Sequence, residues 1–107
     1  MNDIKTKEDI VRLVDEFYDK VLQSALIAKI FENVDWPNHK PIMYSFWSTM
    51  ILGDQSYKRN PFEKHMPLKL TEKHFEEWLR LFHLTVDELF EGSKALEAKE
   101  RARTIAN

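Results

Sequence analysis

Residues 71–90 read TEKHFEEWLRLFHLTVDELF, and this stretch decides the fold class. Its apolar residues recur with the 3.6-residue period of an α-helix: Phe75, Trp78, Leu79, Phe82, Val86, Leu89 and Phe90. Thr71 is a suitable N-cap and Gly92 a suitable terminator. The pattern therefore predicts one helix that runs through Thr85 and ends at Gly92.

The same period extends N-terminally over the first half of the chain. Thr6 and Asp9 form a capping-box pattern ahead of a wide apolar stripe: Ile10, Leu13, Val14, Phe17, Tyr18, Val21 and Leu22. A short second helix carries Leu26, Ile27, Ile30 and Phe31. Residues 33–36 read as a connection. The next helix is predicted from about Pro37 to Leu52 with Gly53 at its end, and Pro41 is expected to bend its first turn.

The C-terminal helix is predicted to be capped by Ser93 and to have an inner face of mostly small side chains: Ala95, Leu96, Ala98, Ala102 and Ile105. No segment alternates with period two over five residues. The sequence therefore predicts an all-α fold, and 107 residues suffice for a single domain over residues 1–107.

Composition excludes several classes of protein. The chain is 43% hydrophobic and 32% charged, as globular proteins are, and it has no cysteine for disulfides, thiolate metal sites or iron–sulfur clusters. Two glycines are too few for a Gly-rich phosphate loop. The net charge of −2 is evenly spread, so no nucleic-acid partner is expected. No apolar run approaches the roughly 20 residues of a membrane span, so we expect no membrane partner and a cytoplasmic location.

The sequence Asn60-Pro61-Phe62-Glu63-Lys64-His65 reads as one isolated helical turn after a polar loop. Asn60 caps it, Pro61 presets its first residue, and Pro67 requires it to stop near His65. An isolated turn bears the cost of helix nucleation, so a tertiary contact must hold it. A metal–imidazole bond at His65 would supply that contact. Docking by Phe62 alone, with His65 facing water, is the alternative.

Among the other histidines, His39 shares a helix face with the apolar and aromatic residues Met43, Phe46 and Trp47. It could stand at the mouth of an aromatic wall, or simply at the exposed edge of an amphipathic helix. We expect His74 and His83 to face solvent.

Several familiar sites do not match the spacing of these histidines. There is no His pair at three or four residues, no H-E-x-x-H, no repeated Glu-x-x-His and no distinguishable catalytic triad. A cofactor with one strong protein ligand and a large apolar slot remains, which describes haem. The aromatic side chains could line such a slot or only pack in a core.

Taken in order, the motifs resemble the group III truncated haemoglobins over about residues 8–106: Phe17-Tyr18, Ile30-Phe31, Trp36-x-x-His39, Phe46-Trp47, Leu52-Gly53, Asn60-Pro61-Phe62-x-x-His65 and Phe75-x-x-Trp78-Leu79-x-Leu81-Phe82. That family has a globin-like, two-over-two helical sandwich around haem b. In this chain the last helix stops earlier than is usual in the family.

The resemblance implies a role for each matching residue. His65 would be the proximal iron ligand, Tyr18 and Trp78 would donate hydrogen bonds to the diatomic ligand, and His39 would act as a distal gate. The haem would be walled by Ile30, Phe31, Met43, Phe46, Trp47, Phe62 and Leu68. Partners for the propionates are expected among Tyr57, Lys58 and Arg59.

Three functions remain open. The first is a haem b protein that binds O2, NO or CO, with cyanide and peroxide as further candidates, and that releases oxygen slowly from a polar pocket. Slow release fits a sensor, scavenger or redox enzyme better than oxygen transport. The second is a haem enzyme that consumes nitric oxide or peroxide with a separate reductase. The third is a cofactor-free helical interaction module.

Overall fold

The computed structural model describes residues 1–55 and 71–106, with side chains through residue 104. Over these ranges the chain forms α1 (Lys7–Gln23), a 3₁₀ helix (Ala28–Phe31), α2 (Trp36–Leu52), α3 (Glu72–Leu89) and α4 (Ser93–Ala106), with no strand. The all-α prediction is confirmed. The predictions that fall on residues 56–70 lie outside the described residues: the isolated turn, Tyr57, Lys58, Arg59, Phe62, His65 and Leu68.

Helix α1 begins as the sequence predicts. The Thr6 hydroxyl accepts a hydrogen bond from the Asp9 N–H (3.2 Å), and the Asp9 carboxylate accepts one from the Thr6 N–H (3.1 Å). This reciprocal box satisfies two backbone donors that a helix start leaves unpaired. The predicted stripe is buried from Ile10 to Val21, but Leu22 at its end is 41% exposed.

Helix α2 begins at Trp36, one residue before the predicted start, and ends at Gly53 with φ of 76°. That left-handed conformation costs glycine little, which explains why the helix stops there. Pro41 lies inside the helix. Because proline has no N–H, the bond that residue 41 would donate to the carbonyl of Pro37 is missing. A bend at this point stays a prediction.

Helix α3 is continuous through Thr85, as predicted, but it ends at Leu89 rather than at Gly92. Phe90 is extended, with φ of −140°, and its side chain is buried. The next N–H, that of Glu91, donates to the carbonyl of Asn2 (3.0 Å). The N-terminal segment thus accepts the hydrogen bond of the Glu91 N–H, which would otherwise donate within a continued helix.

The start of α4 is capped by Asp3, not by Ser93 as the sequence predicts. The Asp3 carboxylate accepts hydrogen bonds from the N–H groups of Lys94 (2.9 Å) and Ala95 (2.8 Å). Desolvation raises the pKa of this carboxyl, but its hydrogen bonds outweigh that effect and lower the pKa overall. Gly92 makes the approach possible, because a Cβ there would lie 2.5 Å from Asp3 Cγ.

The helices pack as two pairs. Helix α1 lies against α2 and α3, and α4 lies against α3 and α2, which gives the expected two-over-two sandwich. On α4 the small residues Ala95, Ala98 and Ala102 are buried, so this helix can approach the others closely, whereas Leu96 is 55% exposed and not on the inner face. In the described ranges, no helix is long and apolar enough to cross a membrane.

Candidate functional site

A cluster of aromatic rings surrounds Tyr18 where α1, α2 and the 3₁₀ helix meet. The Tyr18 ring centroid lies 4.9 Å from that of Phe17, 6.3 Å from Phe31, 4.8 Å from Trp36 and 5.8 Å from His39. Tyr18 is only 3% exposed. The structure therefore brings together two of the predicted distal residues, Tyr18 and His39, although 21 positions separate them in the sequence.

The hydroxyl of Tyr18 has no hydrogen-bond partner in residues 1–55 and 71–106, and burial raises its pKa. A buried hydroxyl without a partner costs free energy, and native proteins rarely leave one so. The phenol is protonated at neutral pH, because even an unperturbed tyrosine has a pKa of about 10 and burial raises the pKa of Tyr18 further. Tyr18 therefore presents a hydrogen-bond donor that the described part of the chain does not use.

Trp78 on α3 is the third predicted distal residue, and it joins this cluster through Phe17. The two rings meet edge to face, with centroids 5.4 Å apart. Trp78 is 7% exposed and also stacks on Phe82. Its indole N–H, which can only donate, has no partner among the residues described. Tyr18 and Trp78 are thus two buried donors whose rings both pack against Phe17.

The predicted wall is apolar where the structure describes it. Phe31, Met43, Phe46 and Trp47 are buried, and Ile30 is half-buried against the same core. Trp47 packs on Phe46, with ring centroids 5.2 Å apart. These side chains offer a large apolar surface with no ionisable group among them.

His39 is half-buried in the first turn of α2. Its ring contacts Tyr18 and Trp36, the latter with a centroid separation of 5.5 Å. Its backbone N–H donates to the carbonyl of Asp35 (2.8 Å). The imidazole is therefore at the edge of the cluster around Tyr18.

The expectation that His83 faces solvent is wrong, because its ring is half-buried against α4, whereas His74 is half-buried and makes a solvent-exposed hydrogen bond. His74 Nδ1 accepts from the N–H of Thr71 (3.0 Å) and completes the cap of α3. His83 Nε2 lies 3.1 Å from the carbonyl oxygen of Lys99 on α4. Each histidine thus has a structural role at a helix end or a helix contact.

Sequence reasoning missed a polar tie between α1 and α2. The Tyr44 hydroxyl donates to the Asp15 carboxylate (2.5 Å), and Lys40 Nζ lies 3.5 Å from the same oxygen. Burial, together with the hydrogen bond and charge of Asp15, raises the pKa of Tyr44 to about 12. The partners are 29 residues apart, so no local spacing pattern could reveal the tie.

The residues present fit a haem group better than a multi-ligand metal ion. In the described ranges, no three His, Cys, Asp or Glu side chains lie close enough to hold a metal. A haem needs one strong ligand and an apolar slot, and a polar ligand on its iron needs nearby donors. The aromatic walls match the slot, and the two unpartnered donors match the polar requirement.

Comparison with known proteins agrees with this assignment. Residues 2–107 match the model of the family described as bacterial-like globin. The chain is 31% identical over 108 residues to a group 3 truncated hemoglobin from Campylobacter jejuni. The alignment covers 94% of this chain and 85% of that protein.

Solved structures show the same fold. The group III truncated hemoglobin from Campylobacter jejuni superposes with a TM-score of 0.86 at 31% identity, over 99% of this chain and 90% of that one. A point mutant of the truncated hemoglobin from Tetrahymena pyriformis, in its Fe(III) form, gives a TM-score of 0.78 at 21% identity, over 94% and 86%. The second match is evidence for the fold alone.

Proposed function

Since the chain belongs to the bacterial-like globins, in the group III truncated haemoglobin family, we propose that it is a haem b protein that binds oxygen and other diatomic ligands and releases oxygen slowly. One observation carries the proposal beyond the family's general property. Two buried donors, the Tyr18 hydroxyl and the Trp78 indole N–H, have no partner in the described part of the chain.

His65 is the residue that we propose holds the iron. The walls would be the buried apolar side chains already described, with Phe62 and Leu68 added from the sequence. When bound, the haem supplies an iron coordination position for a diatomic ligand. The chain's contribution is to exclude water with its aromatic rings and to place donors beside that ligand.

Tyr18 and Trp78 would slow the release of oxygen. A ligand that carries partial negative charge accepts charge-assisted hydrogen bonds, each worth about 1.5–3 kcal/mol. Because about 1.4 kcal/mol corresponds to a factor of ten, even one such bond slows release by about tenfold or more. At neutral pH the Tyr18 side chain is a phenol, because the ordinary pKa of tyrosine is about 10, so it can donate to the ligand.

His39 is the proposed gate of the pocket. It is half-buried in the first turn of α2, and its ring contacts that of Tyr18. A side chain at that edge can open a path to solvent by changing its rotamer, whereas the buried Tyr18 and Trp78 cannot do so without disturbing the core.

A second candidate function is the detoxification of nitric oxide or peroxide with a separate reductase. The same two donors favour it, because they would also stabilise negative charge that develops on a bound peroxide. Turnover of nitric oxide or peroxide by the reduced protein, supplied with an electron donor, distinguishes this activity from simple ligand binding.

The absorption spectrum tests the primary proposal. We expect the purified protein to show a strong Soret band and to yield the pyridine haemochrome of haem b. His65→Ala should lose both. His74→Ala is the matched control, because His74 has a capping role on α3, and it should keep the haem. A colourless wild-type protein, or haem retained in His65→Ala and lost in His74→Ala, contradicts the proposal.

A further inference from the structure

Trp36 makes a set of contacts that no role assigned so far explains. Its ring centroid lies 4.8 Å from Tyr18, 5.5 Å from His39 and 6.4 Å from Phe31, on which it stacks with an interplanar angle of 26°. Trp36 is the first residue of α2 and is half-buried. One indole therefore contacts both the proposed hydrogen-bond donor and the proposed gate.

The start of α2 lacks one helical hydrogen bond close to Trp36. Pro41 donates no hydrogen bond, so the first turn of α2 has one bond fewer to the residues that follow it. The N–H groups of Asn38 (3.1 Å) and His39 (2.8 Å) both donate back to the carbonyl of Asp35, the N-cap. The backbone of this turn is thus bonded to its N-cap, and the ring contacts of Trp36 join it to Tyr18 and Phe31.

Ring contacts also decide where the Tyr18 hydroxyl points. That hydroxyl has no hydrogen-bond partner in the described part of the chain to orient it, so the neighbouring rings set the side-chain rotamer. Phe17 and Phe31 belong to the rigid, buried core. Trp36 and His39 both reach Tyr18 from the first turn of α2, and Trp36 is the closer of the two, with ring centroids 4.8 Å against 5.8 Å from Tyr18.

We propose that Trp36 is a positioning residue of the ligand pocket: its indole fixes the Tyr18 phenol relative to the His39 imidazole. This inference rests on the proposed function. Trp36 acts through Tyr18 and does not touch the diatomic ligand. A tryptophan that only covers the edge of the core would stabilise the fold without affecting the orientation of Tyr18, and the two roles can be separated.

The first measurement does not depend on haem. The protein has three tyrosines, so 13C labelling of the tyrosine rings gives three sets of resonances, which Tyr18→Phe and Tyr44→Phe assign. We expect Trp36→Ala to change the nuclear Overhauser contacts of the Tyr18 ring with Phe17 and Phe31, because the phenol leaves its rotamer, and Trp36→Phe to restore them. Loss of the indole ring current alone would shift the Tyr18 resonances but leave these contacts unchanged. Tyr44, bonded to Asp15, is the internal control.

The second measurement uses the haem-loaded protein. Oxygen release from Trp36→Ala should accelerate towards the rate of Tyr18→Phe, and the C–O stretching band of its CO complex should broaden or split. Trp36→Ala should have no further effect on release in a Tyr18→Phe background, because both changes remove the same interaction. Trp36→Phe should stay near the wild-type rate.

Leu89→Ala is the matched control for lost burial, since Leu89 is also half-buried and lies at the far end of α3. It should lower the melting temperature and leave both Tyr18 readouts unchanged. If Trp36→Ala does not fold, Trp36→Leu replaces it, because leucine keeps apolar bulk but has no ring.

Unchanged Tyr18 ring contacts in Trp36→Ala, or release rates that add in the double variant, overturn the role of Trp36. A wild-type protein without haem overturns the proposed function instead. In that case the Tyr18 ring contacts still decide whether Trp36 positions Tyr18.

Discussion

Tyr18 and Tyr44 lie in two regions of the molecule that use the same side chain differently. Tyr18 is buried among aromatic rings, and no described residue bonds its hydroxyl. Tyr44 is half-buried, and its hydroxyl donates to Asp15. Both have a raised pKa, the first from desolvation alone and the second from desolvation together with a carboxylate.

The difference distinguishes a tyrosine that is available to a ligand from a tyrosine that holds two helices together. A paired hydroxyl contributes to stability and is not available to a ligand. An unpaired buried hydroxyl costs stability, and a protein that keeps one has a use for the donor. A perturbed pKa by itself does not identify a functional residue, because the structural tie at Tyr44 perturbs its pKa as well.

The largest expected effect is on ligand kinetics, and of the two tyrosines only Tyr18 should show it. Tyr18→Phe should accelerate oxygen release by about tenfold or more, because a charge-assisted hydrogen bond of about 1.5–3 kcal/mol is lost. Tyr44→Phe should leave the rate unchanged. Stopped-flow displacement of oxygen from the two variants gives the comparison. Equal rates for wild type and Tyr18→Phe would remove Tyr18 from its proposed role.

The effect on folding stability should be smaller, and here Tyr44→Phe should have a larger effect than Tyr18→Phe. Tyr44→Phe should lower the free energy of unfolding by about 1 kcal/mol, since it breaks a half-exposed hydrogen bond to a carboxylate. In the haem-free protein, Tyr18→Phe should cause no loss, because no described partner is left behind. Urea unfolding of both haem-free variants tests this, and a larger loss at Tyr18 would contradict the assignment of its hydroxyl as unpaired.

The smallest effect is a dependence on alkaline pH. The folded pKa of Tyr44 is about 12, above the value of about 10 in an unfolded chain. The contribution of the protonated Tyr44 hydroxyl to folding stability is therefore fully present below about pH 10 and is lost as the pH rises through about 12. We expect the stability of the wild type to fall more steeply over this window than that of Tyr44→Phe. Superimposable pH profiles of the two proteins would show that the tie to Asp15 does not form in solution.

Local signals in the sequence predicted the helices well. The capping boxes at Thr6 and Thr71 and the left-handed Gly53 lie where the sequence predicted a helix start or end. All three depend on bonds or conformations within a few residues of one another. The grouping of Tyr18 with His39 was also predicted, but through the resemblance and not through spacing.

Contacts between distant residues account for the errors. Asp3 caps a helix that begins about 90 positions later, and the N-terminal segment also ends α3 earlier than its apolar period indicates. His83 faces α4 and not solvent because Lys99 offers it a carbonyl. The apolar period of a helix predicts which of its sides is buried, but it does not predict which polar groups of other helices lie beside that side.

The order of apolar and capping residues determined by itself that this chain is helical, where most helices begin and end, and which aromatic residues turn inward, because helix formation and amphipathic burial are short-range properties. Only the tertiary structure decided that the Tyr18 hydroxyl has no partner among the described residues and that the Tyr44 hydroxyl is paired with Asp15. That distinction depends on whether a carboxylate from another helix reaches the hydroxyl, and chain folding over tens of residues sets that distance.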